Sequence, residues 1–268
     1  MNKNNTFYYC QEIDSLLTIF KLEDINKIYD SIPKLDINDQ SDINTLLSKL
    51  NDCFKINEHG LFMCLNNSNI VPKTLGEIMA PFYFAVFNWV DHLEKLHLKL
   101  KSDVRICSPK IYYDAMELVG ENIMDEKGYD NDIKSMEKCH VTTFVNFLHA
   151  IGFHSELCET NAVKHFNKTL SIVLANEPFA FNACVLAGIE YFYICISNII
   201  STYCDKNNIK QAHYKNHELI DLKHSMDFFR VAAIHSATKK DMVYGVTLGY
   251  KLLWDVFHEL WNEHRKKC

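Results

Sequence analysis

Along most of the chain, apolar residues recur every three or four positions, the spacing that lines one face of an α-helix. One such run covers Leu75–Lys101; it starts near Pro81 and carries Phe82, Phe84, Phe87, Trp89, Leu93 and Leu96. A second, Ile111 to about Lys127, is opened by Ser108-Pro109 and stopped by Gly128, and a third, Lys134 to Ile151, is stopped by Gly152. Asn161–Ala175 follows and ends before Pro178. Then come a nearly uncharged helix around Ala183–Ile200, a polar turn at Asp205–Asn208, a helix bearing Asn216–His224 and a last helix from Lys239 to Glu263. Upstream the pattern is less regular. Thr6–Ile28 places Leu16, Leu17, Phe20, Leu22 and Ile25 at helical spacing, Pro33 interrupts it, and a polar stretch holds a short helix at Ile43–Phe54 behind the cap candidates Ser41 and Asp42. The expected architecture is all-α: an N-terminal extension, residues 1–74, packed on a helical domain, residues 75–268. No repeat with a period of about 20–50 residues is present, which excludes a solenoid.

Composition agrees with helices. The 268 residues are 48% hydrophobic, enough for a full core, and eight Gly and five Pro leave little turn material for a sandwich or barrel. A net charge of −6 provides no basic footprint for nucleic acid, and the basic tail His264–Lys267 suits a helix C-terminus. Ten cysteines without a C-x2-C pair, behind a polar start with no secretory leader, read as reduced thiols in a cytoplasmic protein. Ala183–Ile200 approaches the length of a membrane span. Its one charge, Glu190, would cost about 2.5–3.5 kcal/mol at a bilayer midplane, and its flanks lack a Lys/Arg asymmetry, so a buried helix and no membrane are expected. No Gly-rich phosphate loop, G-x-S-x-G elbow or H-E-x-x-H is present.

Against that background a few polar residues carry candidate chemistry. His217, Asp221 and His224 stand at i, i+4 and i+7, within about 60° on one helix face. Two imidazoles and a carboxylate suit iron, manganese or zinc better than calcium or magnesium. With 13 His and 34 acidic residues, the same spacing also arises on solvated helices. Glu190 is a carboxylate in an apolar helix, so it must be neutralised, paired or bound to metal. Asp125 and Glu126 sit in the last turn of a helix, where the dipole is negative and a cation would compensate. His140 lies on an apolar stripe, as either a core histidine or a ligand. His92 and His97, five apart, share no face and read as packing or surface residues.

Taken together, these segments resemble a known family. Asn122-Ile123-Met124-Asp125-Glu126-Lys127-Gly128, then His140 with Phe144, Phe147, Leu148 and Gly152, resembles the N-x-x-D-E-x-G … H … F-L-x-x-x-G signature of heme-oxygenase-like diiron oxidases and oxygenases. Glu190 within Leu186–Glu190 matches the family's mid-helix glutamate, and His217, Asp221 and His224 match its H-x3-D-x2-H. The likeness spans roughly residues 75–265. It implies a seven-helix heme-oxygenase-like bundle whose metal ligands are Glu126, His140, Glu190, His217, Asp221 and His224. It also implies two Fe ions, or Mn with Fe, with O2 as co-substrate, an external reductant, no heme, and a homodimer as one assembly. The activity implied is N-oxygenation, desaturation or oxidative C–C cleavage of a small amino-acid-like or fatty-acid-like substrate. Because the Glu126–His140 loop is longer than in several members, Glu121 and Asp125 remain alternatives to Glu126. Two other readings stay open. One is the self-sacrificing para-aminobenzoate synthase branch, for which Tyr83, Tyr112, Tyr113, Tyr191 and Tyr193 are available; the other is a metal-free helical binding protein.

Overall fold

The computed structural model describes residues 22–102, 109–130 and 133–267. Among these the chain is all-α: eleven helices and almost no strand. Helices α1 (Leu22–Ser31), α2 (Gln40–Phe54), α3 (Gly60–Asn66) and α4 (Pro72–Met79) come first. Seven more follow: α5 (Tyr83–Ser102), α6 (Pro109–Glu126), α7 (His140–Ala150), α8 (Asn161–Asn176), α9 (Phe179–Lys206), α10 (His213–Ile234) and α11 (Lys239–Arg265).

Several boundaries depart from expectation for local reasons. Of the helix expected over Thr6–Ile28, residues 6–21 lie outside the described residues, and α1 runs on to Ser31. Helix α2 is capped by Asp39, whose carboxylate accepts from the Ser41 N–H, so Ser41 and Asp42 fall inside the first turn. The run from Leu75 is divided into α4 and α5 by a 3-10 turn, Ala80–Phe82, which holds Pro81 and its missing N–H. The helix expected from Lys134 starts only at His140, because Tyr129–Asp130 and Ile133–Lys134 pair as a small antiparallel hairpin. Gly128 makes that detour with φ +80, and a Cβ there would lie 2.5 Å from both the Cys139 N and the Ser135 carbonyl oxygen. The detour returns the chain beside its own helix end and sets His140 against Glu126.

Helix α9 is the centre of the molecule. Every residue from Phe179 to Glu190 is buried, mainly against α10 and α11. It meets α11 at glycine: a Cβ on Gly188 would stand 2.5 Å from the Val246 carbonyl oxygen. Among the described residues, α9 is the one helix long and apolar enough to cross a membrane, and 78% of that apolar window is buried inside the protein. The N-terminal helices share the same core. Phe54 rings against Phe192 and Tyr250 at 5.7 and 5.3 Å, and the Tyr203 hydroxyl donates to the Ile70 carbonyl at 2.6 Å. The apolar core therefore runs without a break across residue 75.

Candidate metal centre

Four helices converge on the buried middle of the bundle. Helix α6 contributes Glu126 from its last turn, α7 contributes His140 from its first, α9 contributes Glu190, and α10 contributes His213, His217, Asp221 and His224. All but His140 are buried, and His140 is largely so. The spacing of His213, His217, Asp221 and His224 keeps them on one side of α10, which faces α9 and the α6–α7 turn.

The side chains form two neighbouring groups. In the first, one ligand atom from each of Glu126, Glu190 and His224 lies within 4.8 Å of the others. His224 Nδ1 is 3.5 Å from Glu126 Oε1 and 3.9 Å from Glu190 Oε1. The second group is His140, His213 and His217, again within 4.8 Å at one ring nitrogen each. Their ring centroids are 4.3–4.9 Å apart. Glu126 joins the two groups, since its second oxygen contacts His140 Nδ1. His217 Nδ1 and Asp221 Oδ1 are 2.6 Å apart.

Polar atoms buried here lack partners. His140 Nε2, Glu190 Oε1, Asp221 Oδ2 and His224 Nδ1 make no hydrogen bond. Each such atom normally costs about 1–3 kcal/mol, so four in one place mark a site built around something that satisfies them. The electrostatics agree. Burial, then the neighbouring Asp221 charge, raises the Glu190 carboxyl well above its ordinary range, and burial, then Glu126, does the same to Asp221. Burial opposes ionisation of Glu126 too, but the facing His140 imidazole pulls its pKa down to about 2. His224 is raised to about 9: burial works against the cation, and Asp125 followed by Glu190 and Glu126 outweighs it. Burial lowers His217 to about 4 and His213 well below the usual imidazole range. A pair of divalent cations would offset the three clustered carboxyls and take lone pairs from the imidazoles.

The expected residues all reach this region, and two alternatives to Glu126 point elsewhere. Glu121 is half exposed and pairs with Lys223 at 3.3 Å. Asp125 accepts from Lys223 at 3.1 Å and faces His224 Nε2 at 3.3 Å, so it holds that ring from behind and leaves Nδ1 for the centre. The anions at the end of α6 thus meet imidazoles and a lysine. The reading of the sequence missed His213, although its place four residues before His217 puts it on the same face. His92 is buried beside Asn167.

Beside the two groups lies a small chamber of about 40 Å³ walled by Phe82, Val86, Trp89, Phe166 and Leu253, with Glu190, His140 and His217 at one side. A larger groove of about 900 Å³ is lined mainly by α5 and α6 together with Lys223 of α10, and its charged lining includes Glu94, Glu121, Asp125, Lys127 and Lys223. Compared with protein-family models and with curated proteins, the chain matches none.

Proposed function

We propose that this chain is a non-heme diiron oxidase or oxygenase of the heme-oxygenase-like type, which uses O2 to oxidise a small organic substrate. The observation that carries the reading is the meeting of Glu126, His140, Glu190, His217, Asp221 and His224, from four helices, with four of their donor atoms unpaired. On this reading the seven helices that follow residue 80 are the bundle that the resemblance implies. A mixed imidazole–carboxylate set suits two Fe ions, or Mn with Fe, and this reading includes no heme.

When bound, such a pair of ions supplies the electrons for O2 activation. The chain's own residues do the rest. Glu190 and Asp221 give up their protons as cations enter, and Glu126 holds the His140 ring in place. Asp125 fixes His224. The chamber excludes water with Phe82, Val86, Trp89 and Phe166. Its volume suits O2 or one small apolar group, so a whole substrate enters by displacing these side chains. An external reductant is the partner that this reading would require. Cys64, Cys139, Cys158, Cys184, Cys195 and Cys204 are free thiols, and a cytoplasmic setting is part of this reading.

One observation favours a second reading, the self-sacrificing para-aminobenzoate synthase branch. Tyr193, alone among the five tyrosines considered, lines the chamber. A mass loss confined to the Tyr193 peptide after a single turnover would support it.

The test is anaerobic Fe(II) titration of metal-free protein, then mixing with oxygenated buffer in a stopped-flow cell. Two irons per chain and a transient visible band are expected, both altered in Glu190→Ala. Failure to bind iron would leave the metal-free binding protein as the better reading.

A further inference from the structure

The three histidines of the second group are held alike. His140 Nδ1 contacts Glu126 Oε2, His217 Nδ1 faces Asp221 Oδ1 at 2.6 Å, and His213 Nδ1 faces Thr143 Oγ1 at 2.9 Å. At His213 the proton can be assigned. The Thr143 hydroxyl donates to the His140 carbonyl at 2.9 Å, so its oxygen must accept from His213, whose Nδ1 therefore carries the proton. His213 Nε2 is then a bare lone pair, with the Tyr193 hydroxyl 3.3 Å away as its donor. Opposite the Glu126 carboxylate, His140 Nδ1 likewise carries the proton and its Nε2 is buried without any partner, and His217 takes the same form once Asp221 is ionised beside a cation. An oxygen acceptor on Nδ1 and a free Nε2 is the arrangement by which proteins orient metal-binding imidazoles.

We propose that His213 is a metal ligand, and that with His140 and His217 it forms a three-imidazole position distinct from the carboxylate-rich position at Glu126, Glu190 and His224. The centre is then asymmetric. The nitrogen-rich position takes a borderline divalent ion such as Fe2+ or Zn2+ through three Nε2 atoms and keeps a fourth coordination place open. There Thr143 acts as a positioning residue, Asp221 holds His217 through Oδ1 while its Oδ2 stays available to the centre, and Tyr193 gives up its hydrogen bond to His213 when the ion enters. The competing account is that His213 only packs, its ring standing edge-on to Phe144 and Tyr214 at 5.2 and 4.8 Å.

This inference rests on the proposed metal centre, and the two fail differently. The probe is Co(II), titrated anaerobically into metal-free protein and read by stoichiometry and visible absorption. Wild type should bind two ions, one with the intense absorption of a low-coordinate, nitrogen-rich site. His213→Gln should lose that band and bind one ion at least tenfold more weakly, while Glu190→Gln should weaken the other ion and keep the band. Thr143→Val, which removes only the orienting acceptor, should weaken the same ion about tenfold or more. Two ions bound by His213→Gln with unchanged affinity and spectrum would overturn the proposal and leave the proposed function standing. If His213→Gln does not fold, unchanged binding by Thr143→Val overturns it. Absence of Co(II) binding in wild type would overturn both readings.

Discussion

Replacing Glu190 by methionine separates a metal ligand from a structural carboxylate. Glu190 is 3% exposed within the apolar run of α9. Its Oε1 has no hydrogen-bond partner, and Trp89 bonds to the carboxyl. Without metal, burial and then Asp221 raise its pKa, so the fold holds an unsatisfied acid. Methionine of similar volume relieves about 1–3 kcal/mol of that penalty and forfeits about 1 kcal/mol at the Trp89 hydrogen bond. The net expectation for metal-free Glu190→Met is a gain of about 1 kcal/mol, or roughly 2–4 °C in Tm for a chain of this size. With metal the order reverses. Wild type gains about 2.7 kcal/mol for each ion supplied at a hundred times its Kd, while the variant forfeits the contribution of the ion that Glu190 helps to hold. Scanning calorimetry of both proteins, with chelator and with anaerobic Fe(II), reads the crossing. A structural ion pair would behave in the opposite way, because breaking one costs about 3–5 kcal/mol. A variant several degrees less stable in chelator, with metal acting equally on both proteins, would refute the reasoning.

Three further outcomes follow from named contacts. Asp125→Asn removes the carboxylate behind His224 and should weaken one metal ion about 10–100-fold with little change in Tm, so unchanged affinity in a competitive chelator titration would contradict that role. Gly128→Ala forces a Cβ onto the backbone of Ser135 and Cys139 at φ +80, and should lower Tm by more than about 5 °C and metal affinity with it; a Tm within about 1 °C of wild type would sink this account. His59 is buried against Phe62 and Trp254, and burial followed by His258 holds its pKa at about 3. It is thus neutral when folded and protonated when unfolded below about pH 6.5, so stability is lost as pH falls from there toward 3. The loss is about 2 kcal/mol between pH 7 and 5, and urea unfolding should show most of it disappear in His59→Phe.

Helical periodicity made the helices legible, because an amphipathic stripe encodes both the element and its buried face. Glu190 was legible for the opposite reason, as a charge where an apolar helix allows none. His217, Asp221 and His224 could be placed on one face by counting alone, and the same count reaches His213, whose position at the start of α10 sets it apart from the motif. The start of α7 was not legible. It depends on a left-handed glycine and a four-residue hairpin register, both set by contacts that bring Gly128 against Cys139. That His140 faces Glu126 follows from the same turn, so a spacing of fourteen residues carried no geometric meaning until the turn was known. The continuity of the N-terminal helices with the core was hidden as well, since Phe54 meets Phe192 and Tyr250 only in three dimensions.

The central claim, two metal positions within one buried centre, is tested most directly by anomalous diffraction from crystals of the protein grown anaerobically with Fe(II), recorded on both sides of the iron edge. Two iron peaks per chain are predicted, one among Glu126, Glu190 and His224 and the other among His140, His213 and His217. No peak in this region, or iron bound only at surface residues, would contradict the account.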